Sequence, residues 1–554
     1  MLVAKCDLTT ILVLSIAFFV MSTWALGKYD VPLSTWQPNG GEIFYVDLGS
    51  VKYVSAIYVL VRNGSINFDV YTGHPGSWNL KSSVSMERYY RWDNVSIDEE
   101  TQFIRFAFTA SNRAEITEIS ALGGNGQKIV INAVKGENCD DAGPMKLIDE
   151  QEKVECPPTY QSRTYFDEIY YVRTAEDYLD LREPYEWTHP PLGKLILAGG
   201  ILFFGYSPFG WRIVEVLIAT LMISVIYLLG KKMFGTWIGA FAAAFLLIFD
   251  FMHFTMARIA TLDTFVVFFS LVSQFFFFAY LKNVLSQGWQ TATRPLLLSI
   301  VFFSLAFSTK WSALFGFLGQ MFILLVLRLR ELPGFNSWTE RARGFFSRPF
   351  LSVVVFLAIG AGIYLFTYLP YIMVGHTQVQ IFRMQWYMYN YHSTLVATHP
   401  FSSQWWTWPL MTRPMWFYVS DLPGGNVSTI VSMGNPAVWW VGLVSIALVT
   451  AEGLRRKNYV CLFIATAFLF QWLPYALVSR TSFLYYFYFN VPFLILANVY
   501  FINKYWNTRY GKVVGLLYLT VVAILFMAFY PVISGLPVPS YWRDALQWFA
   551  SWKF

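Results

Sequence analysis

The chain has 554 residues, of which 56% are hydrophobic and 19% aromatic, while only 13% are charged. That charged fraction is about half that of an average soluble protein, which excludes an ordinary water-soluble enzyme and predicts a polytopic membrane protein. The net charge of +6 is accounted for by basic loops on one membrane face and calls for no nucleic-acid partner.

The first apolar run, 8–26, follows Lys5 and leaves through Ala25-Leu26-Gly27. This small-x-small exit fits a cleaved signal peptide, but the rest of the chain also lives in the membrane, so residues 1–29 are read as a retained first helix. From 30 to 135 the pattern changes to short alternating strands, expected at 42–48, 54–61, 66–71, 103–108 and 115–121, between N-G, H-P-G and G-G-N-G turns. That is a small β-sandwich. Its strings V-D-L-G-S-V-K-Y-V, F-D-V-Y-T-G and F-I-R-F-A-F resemble discoidin-like, galactose-binding-type jelly rolls. In such folds aromatics bind sugars, here Trp78, Tyr89, Tyr90 and Trp92, although as aromatics these equally fit a core or an interface. Residues 136–165 form a linker in which Cys139 and Cys156 are a candidate disulfide, adding roughly 3 kcal/mol if closed.

A polar stretch, 166–194, follows at the membrane edge. Asp167 and Glu168 open a helix-like run with Tyr171, Ala175 and Tyr178 on one face. A carboxylate here can serve as general base toward a hydroxyl; alternatively the two acids favour a helix N-terminus. Asp177, Asp180, Glu183 and Glu186 are read as a solvated helix face. His189 and Lys194 flank a diproline turn, and Arg212 lies just inside the next helix. Arg258 and Asp263, then Lys310, sit at further helix edges on the same side. Singly each is an ordinary ion pair, Glu215 being the local partner for Arg212; together they suggest a polyanion site.

About eleven spans are expected from run length: the first run, then 211–230, 236–252, 261–281, 295–309, 311–327, 349–371, 436–453, 459–478, 483–503 and 512–532. The piece 195–205 is too short and reads as re-entrant or interfacial. Basic residues gather on alternate loops (Lys5; Lys231, Lys232; Lys282, Arg294; Arg328, Arg330, Arg341, Arg343, Arg348; Arg455, Arg456, Lys457; Lys504, Arg509, Lys512). The positive-inside rule makes these and the N-terminus cytoplasmic, and puts segment 27–210, loop 372–435 and the C-terminus outside. That loop carries His392, His399 and Arg413 among Trp405, Trp406 and Trp408, an arrangement that suits either an interfacial aromatic belt or sugar and acceptor contacts. Arg480 marks another outward helix edge. No H-E-x-x-H, G-x-S-x-G or Walker spacing occurs. A divalent cation is compatible with the sequence but not indicated by ligand spacing.

From Tyr165 onward the chain resembles the protein O-mannosyltransferases, lipid-phosphate-mannose-dependent enzymes of the GT-C membrane class. The carriers are D-E at Asp167, H-P-P-L-G-K, F-G-W-R, A-R-I-A-T-L-D, T-K-W, Y-H-S-T-L-V-A-T-H-P-F-S-S-Q-W-W-T-W-P, M-G-N-P-A-V-W-W and R-T-S-F-L-Y-Y. Two features depart from the family: no β-trefoil fits in the outward loop and a β-sandwich precedes the D-E motif, which points to a prokaryotic member in its plasma membrane. Tyr486 stands where a His is expected.

The resemblance implies a mannosyltransferase domain over 166–554 that moves mannose, with inversion, from a polyprenyl- or dolichyl-phosphate-mannose donor to Ser or Thr hydroxyls of a protein at the outer face. Asp167 is then the base and Glu168 its partner, either orienting the acceptor, ligating a metal or holding the loop. Arg212, Lys194, Arg258, Lys310 and Arg480 are candidates for the donor phosphate; His189, Asp263, His392, His399, Trp405 and Trp408 for sugar or acceptor. A homo- or heterodimer is compatible with the family. The rival readings are a GT-C transferase moving another lipid-linked sugar onto a lipid or glycan, and, from another class, a transporter or sugar-binding receptor.

Overall fold

The computed structural model describes residues 5–111, 114–331, 337, 339, 348–395 and 397–554; Arg341 and Arg343 lie outside them. Its first helix, α1 (Lys5–Thr23), runs antiparallel to the long helix Pro208–Phe234. Asp7 at the start of α1 takes hydrogen bonds from Tyr227 (2.8 Å) and Lys231 (3.1 Å) at one end, and Leu26 meets Arg212 at the other.

Among the described residues, eight helices are long and apolar enough to cross a bilayer. They correspond to eight of the eleven expected spans. The expected spans 236–252 and 295–309 are instead shorter apolar helices, Trp237–Ile248 and Arg294–Phe307, and 349–371 falls on the helix Arg348–Phe366 and the short helix Leu369–Met373. Capping explains the first of these. The Thr236 hydroxyl accepts the Gly239 N–H at its start, and just past its end Asp250 turns to cap the next short helix through the His253 N–H. Twelve residues then rise only about 18 Å. The 195–205 piece is the 13-residue helix Leu192–Phe204, stopped at Gly205, whose φ of +87° suits glycine.

The N-terminal β domain is built on two very long antiparallel strands, β1 (Ile43–His74) and β2 (Ser77–Ser111), with β3 (Glu115–Gly123), β4 (Lys128–Ile129) and β5 (Ala133–Gly136). The five expected strands fall in β1 to β3, the first of them starting one residue ahead of β1. Both long strands double back. Ile66 pairs with Met86 on one side and Ser111 on the other, whereas Ile57 pairs with Val95 and Ala121. Two layers thus enclose one core of Phe44, Val59, Phe68, Ile104, Phe106 and Ile119.

This domain is docked on the helices by the aromatics singled out above. Tyr89, Tyr90 and Trp92 are buried with Trp211 and Leu197 in one cluster. The Tyr89 hydroxyl donates to Glu176 at 2.6 Å, and Arg62 also pairs with Glu176. Those three rings are therefore interface, not sugar contacts; Trp78 packs on Tyr45 at 5.8 Å. The expected disulfide does not form. Cys139 and Cys156 are free thiols, one against the Ile43 carbonyl on β1 and the other beside the Ala121 carbonyl on β3.

Loop 372–435 folds into a helix, Gln378–Thr394, a short 3-10 turn and a hairpin, β6 (Met415–Leu422) and β7 (Asn426–Ser432). The C-terminal tail adds β8 (Val538–Pro539) to β7, and Trp552 donates to the Met411 carbonyl at 2.7 Å. Loop and C-terminus thus share one end of the molecule.

Candidate active site

Phe166 adopts a left-handed backbone (φ +50°) that for a non-glycine residue stores strain. It swings the chain into the helix Glu168–Leu179, at whose N-terminus Asp167 sits. Among the described residues no side chain or backbone N–H is hydrogen-bonded to the Asp167 carboxylate. Burial first, and then the neighbouring Asp263 charge, push it up to about 7 against the opposing pull of Lys310. A partly open carboxylate without a partner, poised near neutrality, is the form a general base requires.

Glu168 is the opposite case. It is wholly buried and accepts from Arg212 Nε and Nη2 (2.7 and 2.8 Å), the Ala260 N–H (3.0 Å) and the Tyr165 N–H (3.1 Å). Of the three roles open to it, the contacts leave the third, holding the loop.

The five candidate cations divide sharply. Arg212 commits all five of its N–H groups, two to Glu168 and three to the carbonyls of Leu26, Tyr160 and Arg163. Arg258 donates to the carbonyls of Ser22, Trp24, Ala25 and Ser534. Lys194, with no exposed surface, uses its three protons on the Glu186 carboxylate and the carbonyls of Glu186 and His189. A phosphate would have to displace these contacts, so the expected donor role does not fit Arg212, Arg258 or Lys194. Lys310 and Arg480 remain. Lys310 gives one bond to Asp263 (2.8 Å), with Nζ 5.0 Å from the Tyr486 ring centre. Arg480 gives one bond to His392 and one to the Tyr486 hydroxyl (2.7 Å), and opens into a polar cleft of about 510 Å³ lined by Ser402, Ser403 and Thr481.

His392 links this group to the diproline turn. Its Nε2–H donates to the Thr188 carbonyl at 2.7 Å, which leaves Nδ1 to accept from Arg480. Burial, His189 and Arg480 hold the ring down to about 3, so it stays neutral. His189 stacks edge-on at 5.1 Å and shares the Glu186 carboxylate with Lys194. Glu186 is therefore buried structure, not the solvated face expected of it. Tyr486, at the position where His was expected, takes the Arg480 hydrogen bond and belongs to the site.

The remaining expected contacts separate by exposure. Trp408 is fully buried, its indole N–H on the Ser403 hydroxyl (3.1 Å) and its ring behind Tyr486, so it cannot stack on a sugar. Trp405 is half-buried against Trp472, and exposed His399 lies edge-on to Phe483. Phe166 and Tyr485 carry no charge that marks them in the sequence, yet Tyr485 packs on Phe166 and Tyr486 in the heart of the site. Among the described residues no three His, Cys, Asp or Glu side chains converge as metal ligands.

A bundle of apolar helices carrying an unbonded carboxylate and two cations that keep N–H groups to spare, beneath an extramembrane loop, is the architecture of a GT-C membrane glycosyltransferase. The fold is similar to the solved S. cerevisiae protein O-mannosyltransferase Pmt1-Pmt2 complex bound to the sugar donor, with a TM-score of 0.60 and 13% identity over 71% of this chain and 89% of that one. Family models for dolichyl-phosphate-mannose-protein mannosyltransferase and for the C-terminal four-transmembrane region of protein O-mannosyltransferase match residues 188–334 and 377–552, together more than half of the chain. The chain belongs to the protein O-mannosyltransferase family. It is 27% identical over 437 residues to the polyprenol-phosphate-mannose–protein mannosyltransferase of Corynebacterium glutamicum, and 26% identical over 433 residues to that of Mycobacterium tuberculosis; each match covers 66% of this chain and 81% of the relative. Both family models begin beyond the β-sandwich.

Proposed function

We propose that the protein transfers mannose from a polyprenyl- or dolichyl-phosphate-mannose donor to Ser or Thr hydroxyls of a protein acceptor at the outer face of a prokaryotic plasma membrane. The observation that carries this reading is the Asp167 carboxylate, unbonded and raised toward neutrality beside the Asp263–Lys310 pair. A serine hydroxyl is too weak an acid to ionise first. Its proton therefore passes to Asp167 as the new bond to the sugar C1 forms, which demands tight positioning. The C1–O bond to the lipid phosphate breaks on the opposite side, inverting the sugar carbon. The leaving polyprenyl phosphate carries the departing electron pair and needs cations more than an acid, a role that fits Lys310 and Arg480. Asp263 holds Lys310 in place, and His392 and Tyr486 orient Arg480.

The purified protein, incubated with polyprenyl-phosphate-mannose and a Ser/Thr-rich peptide, should yield mannosylated peptide, and Asp167→Asn should not. Mannose consumed without peptide modification would instead indicate a lipid or glycan acceptor.

A further inference from the structure

Between the β-sandwich and the outer hairpin lies a cleft of about 280 Å³, lined by Arg91 and Arg163, by the aromatic walls Phe401 and Trp416, by Tyr418, and at one end by Phe166. Phe166 directly precedes Asp167, and its ring packs 4.5 Å from Phe417 of the hairpin. Whatever occupies the cleft therefore ends one residue from the proposed base.

Three of the polar side chains lining this space carry a buried atom without a protein partner. Arg91 on β2, opposite Val61 of β1, makes no side-chain hydrogen bond or ion pair among the described residues, and its Nε is buried and unpartnered. The Nε of Arg163 and the hydroxyl of Tyr418 are also buried without a partner. Arg163 reaches only the Trp92 carbonyl (3.3 Å) and lies 5.3 Å over the Tyr418 ring. Burial, then Arg163 and Arg88, disfavour the charged form of Arg91. The sandwich's other described arginines are all paired, Arg62 with Glu176, Arg88 with Asp93 and Arg105 with Glu137. Two adjacent guanidiniums with orphaned donors constitute a site for an anion, because a carboxylate satisfies both the donors and the repulsion. The walls come from a sandwich strand and from a hairpin tied to the C-terminal tail, and none is an apolar spanning helix. A polypeptide suits such a cleft better than a lipid.

We propose that this cleft binds the acceptor polypeptide, with Arg91 and Arg163 taking an acidic side chain near the acceptor Ser or Thr, so that the β-sandwich selects acidic acceptors. The proposal rests on the reading of the chain as a protein mannosyltransferase.

The test is binding of fluorescent Ser/Thr peptides, matched except for Glu or Gln, to the full-length protein in micelles without donor. The Glu peptide should bind about tenfold tighter at low salt, the size of one charge-assisted contact partly screened by solvent. Arg91→Gln, which relieves the repulsion from Arg163, should level the two, and Arg91→Glu should favour a Lys-containing peptide. Equal binding of the Glu and Gln peptides to the wild type, or a ranking that survives Arg91→Glu, would overturn the proposal. Displacement of the Glu peptide by phosphatidylglycerol from the wild type but not from Arg91→Glu would overturn it too, making the cleft a lipid head-group site. If the ranking holds but no mannose reaches the peptide when donor is added, the cleft assignment stands and the transferase reading falls.

Discussion

Arg212 and Glu168 face each other as a bidentate ion pair at 2.7 and 2.8 Å, with neither side chain exposed. The pair joins the helix carrying Asp167 to the helix Pro208–Phe234, and so sets where the base stands. Arg212→Ala or Glu168→Ala leaves a buried charge without its partner, and each should destabilise the protein by about 3–5 kcal/mol. Thermal unfolding in detergent measures this. An Arg212→Ala protein with wild-type stability and a raised donor requirement would restore the phosphate role.

Asp167→Asn should reduce transfer by about 10²–10⁴-fold, the range of a lost general base. It should not destabilise the protein. A carboxyl whose folded pKa is raised above its unfolded value opposes folding once the pH passes the unfolded value, and the full penalty is reached above the folded one, about 7. At pH 8 the asparagine variant should melt no lower than the wild type; a lower melting temperature would mean that the carboxylate holds the fold.

The base works only when ionised, so transfer should rise through about pH 7 and level off above it. Burial is the largest cause of the raised value and Asp263 the next, with Lys310 opposing both. Asp263→Asn removes a repulsive charge and frees Lys310, so the limb should move to lower pH; Lys310→Met should move it to higher pH. A rate profile that stays in place in both variants would remove Asp167 from the titration.

Arg480→Gln should raise the donor KM by about 10–100-fold, as expected for a lost charge-assisted contact, and change the peptide KM little. Steady-state kinetics with each substrate varied in turn decide this. Equal effects on both would make Arg480 a structural support for Tyr486 and His392.

The apolar runs, the alternating strands and the position of Asp167 at the junction between them were legible in the sequence, because periodicity and the location of charge are local properties. The division among the cations was not. Three N–H groups of Arg212 and four of Arg258 are taken up by carbonyls at residues 22–26, 160, 163 and 534, and a backbone acceptor leaves no mark on the side-chain sequence. Trp406 and Trp408 look alike in sequence, yet a 3-10 turn leaves the first 56% exposed and the second buried. Cys139 and Cys156 are near in sequence but attach to different strands. The length of Trp237–Ile248 was set by Thr236 and Asp250, caps hidden inside an apolar run.

The Arg258 clasp has a temporal side. Its guanidinium gathers carbonyls from Ser22, Trp24 and Ala25 and from Ser534, about five hundred residues later in the chain. The β-sandwich can close while the ribosome is still translating the helices, but the clasp must wait until residue 534 has emerged. A nascent chain halted before that point holds Arg258 with part of its acceptor set missing.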